Sequence, residues 1–132
     1  MADLSQLKPA EIILKIKHPA TGRLTGVTVT IMSMFDERMK SFVRQIQDQR
    51  LRLEARGKHF KSEEIEDNGI ELAFRAMTDW HWGTDEDGEE ATFKGKKPEF
   101  DKATVKQVLT ELPWFKNQID VAISEEKDFF QR

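Results

Sequence analysis

At 132 residues, 38% hydrophobic and 34% charged, with a net charge of −3, the chain has the size of one domain and can bury roughly two-thirds of its unfolded surface. It has no cysteine, which excludes disulfides and thiolate metal sites and fits a reducing compartment. No apolar run approaches the roughly 20 residues of a membrane span, and Met1-Ala2-Asp3-Leu4-Ser5 lacks the basic start and apolar stretch of a signal peptide; the expectation is a cytoplasmic protein.

Residues 1–10 read as a flexible leader that ends at Pro9, and residues 11–132 as a single domain. From Glu11 to Lys17 the chain alternates: Ile12, Leu14 and Ile16 share one face, Lys15 and Lys17 the other. Val27, Val29 and Ile31 alternate with Thr28 and Thr30 in the same way. A period of two in β-branched residues predicts two half-buried strands. Pro19 and Gly22 supply turn geometry between them, giving a β-hairpin over 11–33. Two strands alone are marginal, so one face must pack on helices.

A first helix is predicted over about 34–56. Phe35, Met39, Phe42, Val43, Ile46 and Leu53 form its apolar stripe, Ser33 or Asp36 can cap it, and Gly57 can end it. Its other face carries Arg38, Lys40, Arg44, Arg50 and Arg52. A second helix is predicted over 63–79, capped by Ser62 and opened by Glu63, Glu64, Glu66 and Asp67, with Ile65, Leu72, Ala73, Ala76, Met77 and Trp80 inward. Residues 82–100 read as a loop, with room for a short hairpin at Asp87-Gly88. Asp101 caps a third helix over 102–112 that turns Val105, Val108, Leu109 and Leu112 inward. Pro113 suits the start of a fourth over 114–129, with Phe115, Ile119, Ala122 and Ile123 on one face. The expected class is α+β: an N-terminal β-hairpin packed against a mainly helical bundle of about four helices.

Charge is segregated along this layout. Residues 38–61 hold eight basic and two acidic side chains, and residues 62–90 one basic and eleven acidic. Three readings compete: solvated faces with antiparallel complementarity between the first two helices, a basic helix that binds nucleic acid phosphates, or opposite faces that join neighbouring copies head to tail. The acidic block and the acidic balance argue against nucleic acid.

No catalytic constellation stands out. Gly83-Thr84-Asp85-Glu86-Asp87-Gly88 resembles a calcium loop only in part, because Gly83 and Lys94 fall where ligands are needed; a solvated turn fits better. His18, His59 and His81 lack metal-ligand spacing. No phosphate loop, dinucleotide turn or nucleophile elbow is present, so neither cofactor nor metal is expected and an enzyme is not the reading. With three Trp, nine Phe and no Tyr, the aromatics divide between core and contact. Trp80, Trp82 and Trp114 read first as core and core edge, and Phe129-Phe130 as one packed and one exposed ring. The candidates for partner contact are Trp82, Trp114, Phe129, Phe130, Arg44, Arg50 and Arg52.

Two stretches carry a resemblance. At the front are His18-Pro19, Thr21-Gly22, Thr25-Gly26 and the Val/Thr strand; at the back, Trp82-Gly83, Asp87-Gly88, Phe93, Leu112-Pro113-Trp114, Gln118-Ile119 and Phe129. In this order they resemble the tail assembly chaperones of long-tailed bacteriophages, while residues 35–79 match only in being helical. The resemblance implies a non-enzymatic factor of the host cytoplasm, absent from the mature virion. It would coat the helical, apolar tape measure protein, recruit the tail tube protein and self-associate. The alternatives are a structural tail or head–tail joining protein retained in the virion, and a small nucleic-acid-binding regulator.

Overall fold

The computed structural model describes residues 3–130; the first two residues of the expected leader and the last two of the expected domain lie outside this range. The fold is α+β: a three-stranded antiparallel sheet and four helices.

Strand β1 (Ile12–Lys17) pairs with β2 (Leu24–Ile31), as the alternation predicts, with Leu14 opposite Val29. A third strand, β3 (Met77–Trp82), lies on the other side of β2, with Val29 opposite Trp80. Its presence corrects two expectations. The second helix stops at Ala76 rather than 79, and the stretch after it is a strand up to Trp82. Ala73, Ala76, Met77 and Trp80 keep helical spacing, which hid the period of two in Asp79-Trp80-His81-Trp82, where both Trp are buried and the residues between are exposed. Aromatic alternation and a free edge on β2 decide for the strand.

The helices cover one face of the sheet. Helix α1 (Glu37–Ala55) starts at Asp36, whose Oδ1 accepts the Arg38 N–H at 3.0 Å, so Phe35 lies before the helix and is exposed rather than part of the stripe. It ends at Gly57, which adopts φ +69°. Helix α2 (Ser62–Ala76) begins one residue earlier than expected. Lys61, not Ser62, is the cap, and its N–H donates to Glu64 Oε1 at 3.1 Å. Helix α3 (Lys102–Glu111) starts at Asp101, which accepts the Thr104 N–H at 2.8 Å. Helix α4 (Pro113–Ser124) opens on its proline and is shorter than the expected 114–129. Ser124 Oγ bonds back to the carbonyls of Asp120 and Val121, and Glu126–Phe130 continue as a 3₁₀ turn. That turn puts Phe129 into the core, and its carbonyl accepts the Ala10 N–H at 2.8 Å.

Ile16, Val29 and Ile31 of the sheet meet Ala73 and Ala76 of α2, Val105 and Val108 of α3, and Phe115 and Ile119 of α4, all fully or nearly fully buried. The outer sheet face carries Ile13, Lys15, Asp79 and His81, exposed. At the hairpin's far end Gly26 adopts φ +91°, and a Cβ there would sit 2.5 Å from the Thr84 carbonyl carbon. Only glycine lets the loop after β3 cross so close.

Candidate functional site

Two concavities stand out, at opposite ends of the helical layer. The first is a groove of about 400 Å³ between α1 and α2, lined by Met34, Phe42, Val43, Ile46, Ile65 and Leu72, with Phe60 at one end. Its origin is the length of α1. Nineteen residues at about 1.5 Å each make a helix of roughly 28 Å, and only Met39 and Phe42, in its first turns, are buried. The stripe continues through Val43, Ile46 and Leu53, half-buried, with α2 the helix packed beside it and Met34 and Phe60 at its margins. Ile65, read from the sequence as core, is 60% exposed on the facing lip. The signal that could have revealed the groove is the stripe's extent: it outruns what a core of this size can cover.

The charged faces do not close over this groove. Among the described residues no ion pair joins the basic block 38–61 to the acidic block 62–90, so the expected complementarity between the first two helices is corrected. Each helix turns its apolar stripe to the groove, so each charged face points away from the other helix. Arg38 instead pairs with Asp36 and Glu11, each at 3.0 Å, and Arg50 with Glu54 at 3.8 Å. Glu71 of α2 collects Arg75, Lys102 and Lys106, the last at 2.6 Å. Burial pushes the Glu71 carboxyl up, but hydrogen bonds from Lys106 and Arg75 outweigh it and hold the group below its ordinary range.

The second concavity is a cleft of about 650 Å³ between the hairpin tip, the loop after β3 and the α3–α4 corner. Leu24, Val27, Trp82, Phe93, Leu112, Trp114 and Phe115 line it. The Trp82 and Phe115 rings stack with centroids 6.1 Å apart. Arg23 stands at the rim, bidentate to Asp87 at 3.0 and 3.1 Å, with its Nε 3.3 Å from Glu86. Opposite it, Lys94 pairs with Glu111 at 3.0 Å. The acidic turn serves the fold: Asp85 Oδ1 accepts the N–H groups of Asp87 and Glu89, both at 2.9 Å. His18 is likewise a turn former, its Nδ1 accepting the N–H groups of Ala20 and Thr21.

The seven contact candidates do not form one surface. Trp82 and Phe129 are buried, at 7% and 1% exposure, which corrects their reading as surface handles. Phe130 remains exposed, as the one-in, one-out reading of this pair expects. Trp114 is half-buried and joins Trp82 at the cleft. Arg50 lines the α1–α2 groove, while Arg44 and Arg52 share an outer face of α1 with Lys40. Sequence reasoning assigned Val43, Ile46 and Ile65 to the core and missed them as groove residues.

Among the described residues no group of three His, Asp or Glu side chains is placed to hold a metal ion, and no helix is long and apolar enough to cross a membrane. Compared with known proteins, the chain matches no family model, no curated protein and no solved structure.

Proposed function

We propose that this chain is a non-enzymatic tail assembly chaperone of a long-tailed phage. It seats an apolar helical segment of the tape measure protein in the α1–α2 groove and helps to recruit tail tube subunits. It acts in the host cytoplasm and does not remain in the virion.

The observation that carries this reading is the open groove. Among the described residues, two helices present converging apolar stripes that no third helix or strand covers, and an amphipathic helix can complete the layer by setting side chains at i, i+3 or i+4, and i+7 between them. Each Leu- or Ile-sized side chain fully buried this way contributes about 1.5–3 kcal/mol. Lys40, Arg44 and Arg52 on the outer face of α1 are placed to select the flanks of that partner. The resemblance carried by the residue order described above is what supports the tape measure protein as the partner.

Co-expression with the tape measure protein of the same genome, followed by pull-down and light scattering, tests the proposal. A soluble multi-copy complex that is lost in Ile46→Asp and Ile65→Asp is the expected result. A tape measure protein that stays insoluble beside a folded, unassociated chain overturns it.

A further inference from the structure

We propose that the aromatic cleft is a second binding site, separate from the α1–α2 groove. It takes an uncharged apolar peptide segment in non-helical conformation, one of whose backbone carbonyls accepts a hydrogen bond from Trp82 Nε1–H.

The contrast between two neighbouring tryptophans carries the inference. Trp80 and Trp82 stand on the same face of β3, edge to face with centroids 5.4 Å apart. Trp80 Nε1 donates to the Pro98 carbonyl at 3.1 Å. Trp82 Nε1 is buried and donates to nothing; among the described residues it is the one buried side-chain nitrogen or oxygen without a partner. Buried donors are nearly always satisfied, because an unmade bond forfeits the group's hydration without return. Trp82 lines the 650 Å³ cleft, and a ligand whose entry displaces the lining at Trp82 would supply the missing acceptor.

The lining and rim define that ligand. The walls are Leu24, Val27, Phe93, Leu112 and Trp114, which favour an apolar side chain. The rim charges are already matched, Arg23 with Glu86 and Asp87, and Lys94 with Glu111. Among the described residues that line the cleft no Arg or Lys is left over to offset the desolvation of a carboxylate, so a neutral acceptor is selected. A peptide carbonyl is such an acceptor. In a helix interior it is already bonded to the N–H four residues on, so the segment that fits is extended or a loop.

The test uses the full chain labelled with ¹⁵N at its indoles, which gives three cross-peaks. The probe is N-acetyl-leucinamide, titrated to millimolar levels, with N-acetyl-leucine carboxylate as the charged comparison. The Trp82 indole peak is expected to move downfield and saturate, while the Trp80 peak, held by Pro98, stays in place. The carboxylate is expected to bind several-fold more weakly. Trp82→Phe keeps an aromatic ring, though a smaller one, and removes the donor, and it is expected to weaken the amide probe about tenfold. A Trp82 peak that stays fixed overturns the proposal, as does equal binding by Trp82→Phe. If that variant misfolds, the peak titration on the parent chain decides alone. Groove variants such as Ile65→Asp are expected to leave this titration unchanged, so its failure is distinct from failure of the groove reading.

Discussion

The side-chain amide of Gln118 closes onto the backbone of Lys17: its oxygen accepts the Lys17 N–H at 2.8 Å and its nitrogen donates to the Lys17 carbonyl at 2.7 Å. Lys17 ends β1, an edge strand of the sheet. A residue of α4 thus caps part of an edge that would otherwise offer unpaired groups to another chain. Gln118→Ala is expected to cost about 1–2 kcal/mol, two net hydrogen bonds, and to raise aggregation on mild heating. Gln118→Glu keeps the acceptor and loses the donor, so it should fall between the two. Urea unfolding with light scattering checks both.

Arg38 ties the start of α1 to the segment before β1. Its hydrogen bonds hold the Asp36 carboxyl below the ordinary 3.8. Thr78, and then Arg38, do the same for Glu11 below the ordinary 4.5. Both folded values are depressed, so the stabilisation is complete above the ordinary values and is lost as pH falls through and below them. Arg38 is half exposed, which keeps the effect at surface-pair size. Arg38→Leu is expected to cost about 1 kcal/mol at neutral pH, with the gap to the parent closing as pH falls below the ordinary carboxylate values and through the lowered ones. Denaturant melts across that range provide the measurement.

Two glycines with positive φ separate conformation from space. At Gly22, φ is +72° and nothing lies within 4 Å of an added Cβ, so Gly22→Ala should cost about 1 kcal/mol. Gly26 adds the Thr84 backbone at 2.5 Å to its φ of +91°. Gly26→Ala is expected to cost about 3 kcal/mol or more, because backbone must move. Thermal unfolding of the pair should therefore differ clearly, and similar melting temperatures would show that the loop after β3 can yield.

Core and groove are distinguished by what they do when mutated. Phe115→Ala, at a residue 1% exposed, should cost about 3–5 kcal/mol. Trp114 is only half-buried, so Trp114→Ala should cost less, roughly 1–3 kcal/mol. Ile65→Asp is expected to stay within about 0.5 kcal/mol of the parent while abolishing partner capture. A large loss of stability from Ile65→Asp would mean that the groove is core.

The hairpin and the helix start at Asp101 were legible because alternation and capping are local; at α1 the sequence offered both Ser33 and Asp36 and began the helix near 34, and the structure selects Asp36. β3 was not, because Ala73, Ala76, Met77 and Trp80 satisfy the helical period as well, and the free edge of β2 that settles the matter is formed by distant chain. The ion pairs were unreadable for a related reason. Glu71 finds Lys106 through the packing of α2 on α3, which no charge count reveals. Periodicity marked Ile46 and Ile65 as apolar faces but could not say what covers them. Trp82 was readable both as core edge and as a contact handle, because the alternation that buries it was masked by the helical period; its unpartnered N–H, beside a Trp80 that donates to Pro98, has no sequence signal at all.

Ile31 pairs with Met77, and Met32 N–H donates to the Ala76 carbonyl at 2.8 Å, so the chain leaves and re-enters the sheet at adjacent points. Everything between, α1 and α2 included, is an insertion pinned at its base. Ala73 and Ala76 hold that base in the core, whereas in the tip, from about Arg50 to Asp67, every residue but Leu53 and Phe60 is exposed. Amide hydrogens there should exchange well ahead of those in β2 and α4. The tip is also the part of the molecule that evolution can lengthen, trim or recharge in whole turns without disturbing the register of a single strand.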